Sequence, residues 1–153
     1  MIGQCIGNYK VVAKIGAGGM GEVYEALHQQ LGRRAAIKRL HPEHSKDPEA
    51  VQRFFNEARA VNIVQHPSLV NIFEFGHLDD GAAFIIMEFL EGESLRARLR
   101  RSGGRLDTSC LPIVRQVASA LAATHQKGIV HRGQSPRHSP SENRAASLWG
   151  KAG

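Results

Sequence analysis

A chain of 153 residues has room for one domain with a sizeable core, and not for two of ordinary size. Its 42% hydrophobic and 22% charged residues exclude disorder throughout, and a net charge of +6 is too modest to require nucleic acid as a partner. Cys5 and Cys110 lack any paired spacing and read as reduced thiols in a cytoplasmic chain, and no signal peptide or membrane-spanning run is evident.

Residues 1–8 form a short lead-in, and residues 9–14 read as the first strand. The stretch 15–24 is IGAGGMGEVY, with Gly16, Gly18 and Gly21 followed by Val23. Glycines at that spacing let backbone amides approach a bulky anion and admit tight turns, so a phosphate chain is the guest they fit. Alone the spacing is ambiguous, because it also opens dinucleotide-binding crossovers and occurs in turns without a ligand. Here residues 22–27 are strand-like and Leu31-Gly32 supplies a turn before any helix can extend, so the glycines lie in a hairpin. Ala35-Ala36-Ile37-Lys38 begins a third strand that brings Lys38 back beneath it.

Residues 41–46 read as a polar connection. His41 and His44 have a spacing compatible with a metal, but Pro42 and the lack of further ligands favour a solvated loop. Asp47-Pro48 reads as an N-cap with proline at the first helical position, and Val51, Phe54, Phe55, Ala58 and Val61 recur at helical spacing. Glu57 shares that inward stripe, which makes it the candidate partner of Lys38; the plainer alternative is a snorkelling lysine and a rim carboxylate. His66-Pro67 ends the helix. Residues 69–75 and 83–89 read as the fourth and fifth strands, around a turn at Asp79-Asp80-Gly81. The expected fold class is therefore α+β, with a five-stranded antiparallel sheet and one helix.

A second helix opens at Glu93-Ser94-Leu95 and carries Arg96, Arg98, Arg100 and Arg101, with Arg105 beyond Gly103-Gly104. With no aromatics interleaved for stacking, it reads as a solvated basic face rather than a nucleic-acid patch. Thr108 is placed to cap the next helix, where Leu111, Val114, Ala118, Leu121 and His125 recur at helical spacing. Lys127-Gly128 ends it.

The glycine hairpin with Val23, the Ala-Ile-Lys triplet ending at Lys38 and the helical Glu57 together resemble the small lobe of the protein serine/threonine kinases common in bacteria. The resemblance covers residues 9–132. It implies that Gly16, Gly18 and Gly21 cover the phosphates of ATP, that Lys38 holds the α and β phosphates, and that Glu57 fixes Lys38. It also implies that Ile15, Val23 and Ala36 enclose the adenine, with Met87 at the gatekeeper position and Glu88 and Leu90 offering hinge backbone groups. On this reading residues 9–92 are the small lobe and hinge, and 93–132 begin the large lobe.

After His131-Arg132 the resemblance ends. Where the family has its catalytic aspartate, a lysine and a magnesium-binding asparagine, this chain has Gly133, Ser135 and His138, and no Asp-Phe-Gly follows. Residues 133–153 are rich in Gly, Pro and Ser and contain no Val, Ile, Thr, Phe or Tyr, so they are expected to be a disordered, non-native tail of the kind a frameshift produces. The implied function is ATP-dependent phosphoryl transfer to Ser or Thr of protein substrates in a full-length form that uses Mg2+. This chain alone is expected to be truncated and without turnover. The alternative is a non-catalytic nucleotide-binding or docking module resembling a pseudokinase.

Overall fold

The computed structural model describes residues 1–105 and 108–129. Val130, the His131-Arg132 pair and the 133–153 tail lie outside the described residues. Six strands form one antiparallel sheet in the order β1-β2-β3-β4-β6-β5. They are β1 (Cys5–Ile6), β2 (Tyr9–Gly18), β3 (Gly21–His28), β4 (Arg34–Leu40), β5 (Ile72–His77) and β6 (Ala83–Glu88).

The sixth strand corrects the expectation of five. β1 lies in the lead-in, where Gly7 at φ 53 lets the chain turn back and pair Ile6 with Tyr9. That pairing buries Ile6. The signal was present as Gly7-Asn8, a two-residue hairpin turn, but two flanking residues make too short a run for a period to emerge. β5 is also displaced from the expected 69–75: Leu69 and Val70 are buried but lie outside the strand.

Alternation along the strands builds two cores, one on each face of the sheet. Tyr24, Ala26, Ala35, Ile37, Phe84 and Ile86 share one cluster with Ile6, Tyr9 and Val11. Val23, Ala36, Leu40, Ala83, Ile85 and Met87 point the other way, as the period of two requires. β6 is thus buried on both faces, which explains its unbroken apolar run.

The second face is covered by α2 (Pro48–Val64). Asp47 caps it by accepting from the Glu49 amide, Pro48 occupies the first turn, and Ala50, Phe54, Phe55, Ala58, Val61 and Val64 are buried. The helix ends at Gln65, a non-glycine residue in the left-handed region at φ 46. A four-residue helix, α1 (Pro42–Ser45), replaces the expected irregular connection.

α3 (Leu95–Arg101) is capped by Ser94, whose side chain accepts from the Ala97 amide. Thr108 does not cap the next helix; it begins a 3-10 turn, Thr108–Cys110, and α4 (Leu111–Gln126) follows with Cys110 at its N-cap. The buried residues of α4 are Ile113, Ala120 and Thr124. Leu111 and Val114, from the expected stripe, are exposed. α4 is apolar around most of its circumference, so spacing alone did not choose its inner face. No helix among the described residues is long and apolar enough to cross a membrane.

Candidate nucleotide-binding site

Strand register assembles the site. Gly16 pairs with Val23, Val23 with Lys38, and Lys38 with Ile85, so these four residues cross β2, β3, β4 and β6 in one row. Two residues along β4, Ala36 pairs with Met87. Val23, Ala36 and Met87 therefore emerge on one face of the sheet and belong to one buried cluster, against which Ile15 is packed. The four apolar residues for which the resemblance implied an adenine pocket thus share one cluster, and Lys38 stands opposite Val23 in the same row.

The glycines close the hairpin two residues beyond this row. Gly18 pairs with Gly21 around a two-residue tip, and β2 carries irregularities between Val11 and Ala13 and between Lys14 and Gly16. Gly21 has a backbone reason to be glycine: a Cβ there would lie 2.1 Å from the Arg39 carbonyl oxygen. Close packing of β3 on β4 forbids any side chain at that point, independently of a ligand.

Lys38 and Glu57 do not form the expected ion pair; their charged atoms stay beyond the 4.0 Å limit of such a contact. Instead the Lys38 ammonium stands 5.4 Å from the centre of the Phe54 ring. So much protein surrounds it that burial lowers its pKa, while the field of Glu57 opposes the shift. Glu57 is half-buried on α2, near enough to act electrostatically. Helical spacing set the direction in which Glu57 points, whereas its distance from β4 depends on how α2 is docked.

At the other end of the site, the Glu88 amide donates to the Asn71 carbonyl at 2.9 Å. Its carboxylate accepts from the Asn71 side chain at 3.1 Å. Leu90 is 38% exposed, and Met87 is buried at 7%. Arg34 was not singled out by the sequence. Its guanidinium lies 3.8 Å above the Phe89 ring and pairs with both Glu25 and Glu91. It thereby holds the segment after β6 against β3 and β4. An arginine at the start of a strand carries no signal for this, because its partners are distant in sequence.

Outside the cleft, Glu22 accepts from Lys14 and from the Tyr24 hydroxyl. The Lys14 bond, reinforced by Tyr24, holds its carboxyl below the usual glutamate value. Burial and then the Glu22 bond push the Tyr24 phenol up to about 12. His41 and His44, expected to be solvated, meet the hairpin tip at Gly18 and Gly19. No group of His, Cys, Asp and Glu suited to holding a metal occurs among the described residues.

The profile of the protein kinase domain family matches residues 9–133. The chain is 42% identical over 132 residues to the serine/threonine-protein kinase pkn2 of Myxococcus xanthus, covering 86% of this chain and 16% of that protein. It is 37% identical over 134 residues to the serine/threonine-protein kinase PknA of Mycobacterium tuberculosis, covering 85% of this chain and 31% of that one. The chain thus spans less than a third of the length of these relatives. The crystal structure of the Mycobacterium tuberculosis PknI kinase domain superimposes with a TM-score of 0.74 at 30% identity, over 89% of this chain and 55% of the other. With its curled sheet, its covering helix and this agreement along the sequence, the chain belongs to the protein kinase domain family.

Proposed function

We propose that this chain is the ATP-binding part of a bacterial-type serine/threonine protein kinase, and that by itself it binds ATP without transferring phosphate. The observation that carries the reading is Lys38: an ammonium enclosed by protein, lowered in pKa by burial, and not neutralised by direct contact with Glu57. A charge so placed is stabilised by an incoming anion. ATP fits, because Val23 stands opposite that charge, Ile15, Ala36 and Met87 share a cluster with Val23, and the glycine hairpin closes two residues beyond the same row.

In this assignment the backbone of Gly16, Gly18 and Gly21 faces the phosphates, and Lys38 binds the α and β phosphates. Glu57 steadies Lys38 once α2 has moved closer. The backbone of Glu88 and Leu90 meets the adenine edge. Magnesium does not fit the residues present: Gly133, Ser135 and His138 stand where the family has its catalytic aspartate, a lysine and the metal-binding asparagine. The function assigned to this polypeptide therefore stops at nucleotide binding, and phosphorylation of Ser or Thr in protein substrates is assigned to a form that carries the complete catalytic loop. The domain division at residue 92 follows from the same reading.

Titration calorimetry with ATP, with and without magnesium, tests the proposal. Weak binding is expected with little dependence on the metal, and Lys38→Met should weaken it by about tenfold or more, the worth of one charge-assisted contact. No heat of binding from the unaltered chain would refute it. Gly133 in place of the aspartate equally suits a docking module resembling a pseudokinase. Transfer of labelled phosphate to a protein Ser or Thr, dependent on Lys38, by a form that carries the complete catalytic loop would exclude this second reading.

A further inference from the structure

The tip of the glycine hairpin is tied to the segment that follows β4. The His41 amide donates to the Met20 carbonyl at 3.1 Å. His41 Nε2 lies 2.9 Å from the Gly18 carbonyl oxygen, and His44 Nε2 lies 2.9 Å from that of Gly19. A carbonyl only accepts, so each Nε2 carries a proton, whether its ring is neutral or cationic.

The short helix α1 makes this possible. It begins at Pro42 and places the two histidines three residues apart, on one side of a single turn. The helix is itself anchored, because Ser45 Oγ accepts from the Ala83 amide at the start of β6, at 3.2 Å. The Asp47 amide then donates to the His44 carbonyl at 3.2 Å, immediately before α2 starts. One continuous set of bonds therefore joins the hairpin tip to α1, to the sheet and to the cap of α2.

We propose that His41 and His44 are positioning residues of the nucleotide site, clamping the hairpin tip to α1 and so setting its height over Lys38. The proposal rests on the nucleotide reading above. Gly18, Gly19 and Gly21 have no side chains with which to hold a conformation, and glycine loses more freedom on ordering than any other residue. External donors supply what the hairpin lacks. Each such bond is worth roughly a fivefold bias toward the held state, so losing both side-chain bonds should release the tip.

The test compares the unaltered chain with His41→Ala/His44→Ala and with His41→Gln/His44→Gln. Glutamine retains an N–H donor at the ε position and alanine has none. Backbone amide order parameters from NMR, measured without nucleotide, should be near the rigid value of about 0.85 at Gly18, Gly19 and Gly21 in the unaltered and glutamine proteins. In the alanine protein they should fall below about 0.6, with α2 unchanged. ATP affinity should weaken about tenfold in the alanine protein and recover in the glutamine protein.

A hairpin as ordered with alanine as without it, or one already mobile in the unaltered chain, overturns the clamp. So does failure of glutamine to restore order. A loosened hairpin with unchanged ATP affinity overturns the positioning role. If no form binds ATP, the positioning role falls together with the nucleotide reading, while the order parameters still decide whether the clamp exists. Should the double alanine variant not fold, His44→Ala, which removes the exposed contact alone, should lower the order parameter of Gly19 part of the way, with recovery in His44→Gln; an unchanged Gly19 overturns the clamp.

Discussion

The Lys38 ammonium stands over the Phe54 ring, 5.4 Å from its centre, while Glu57, three residues further along α2, acts on it only through its field. Phe54 is almost completely buried, so the lysine faces a wall that cannot hydrogen-bond it. The site thus stores an incompletely compensated charge. An anion entering under the hairpin would complete it, and so would an inward movement of α2.

Replacing that lysine should separate stability from binding. Lys38→Met removes a charge from a desolvated place and keeps an unbranched stem, so the nucleotide-free chain should gain on the order of 1 kcal/mol. The same substitution should abolish the rise in melting temperature expected when ATP is added. Because the folded pKa of Lys38 lies below its ordinary 10.5, the unfolded chain binds more protons between the two values. Stability of the unaltered chain should then rise with pH across that window, and its deficit against Lys38→Met should shrink. Denaturant titrations of both proteins at neutral and alkaline pH check this; a constant or widening deficit would count against it.

Gly21→Ala should destabilise the small lobe even without a ligand. The added Cβ would stand 2.1 Å from the Arg39 carbonyl oxygen, and the nearest atoms are all backbone of Arg39 and Leu40, so no flexible side chain can move aside. The expected loss is about 1–3 kcal/mol, read as a lower midpoint in urea. An unchanged midpoint would mean that β3 and β4 separate easily at that end.

Acid should weaken the outer face of the sheet through Glu22. The Lys14 bond, reinforced by Tyr24, depresses its folded pKa below 4.5, so its contribution is complete above that value and disappears as pH falls through the folded one. Glu22 is 20% exposed and Lys14 44%, so screening limits the effect to on the order of 1 kcal/mol. Glu22→Gln should be less stable than the unaltered chain at neutral pH, and the gap should close as pH falls through the folded pKa of Glu22. Parallel pH profiles for the two proteins would refute this origin.

What was legible in the sequence was what parity and local chemistry decide. Ala36 and Lys38 had to share a face of β4, the glycines had to sit in a hairpin once residues 22–27 were strand-like, and Asp47-Pro48 had to start α2. Distances between elements were not legible. Whether Glu57 reaches Lys38 depends on a few ångströms in the docking of α2, and that His44 meets Gly19 depends on α1, a helix of one turn with no period to detect. The face of α4 was illegible for the opposite reason, since a helix apolar on most sides offers several stripes.

α4 leaves that surplus on the surface: Leu111 is 66% exposed, Val114 56% and Val117 45%. Val114 and Val117 are three residues apart, as are Leu111 and Val114, so the three line one side of the helix. A contiguous apolar strip of this kind favours contact with any apolar partner over water, at about 25 cal/mol for each Å² covered. The chain studied by itself should therefore bind an environment-sensitive hydrophobic dye and self-associate as its concentration rises. Val114→Lys/Val117→Lys should reduce both, with little effect on the melting temperature because neither side chain is in the core. Light scattering and dye fluorescence on the two proteins read the outcome directly. A monodisperse, dye-silent unaltered chain would show that the strip is already covered, and loss of folding in the double lysine variant would show that these valines pack more than their exposure indicates.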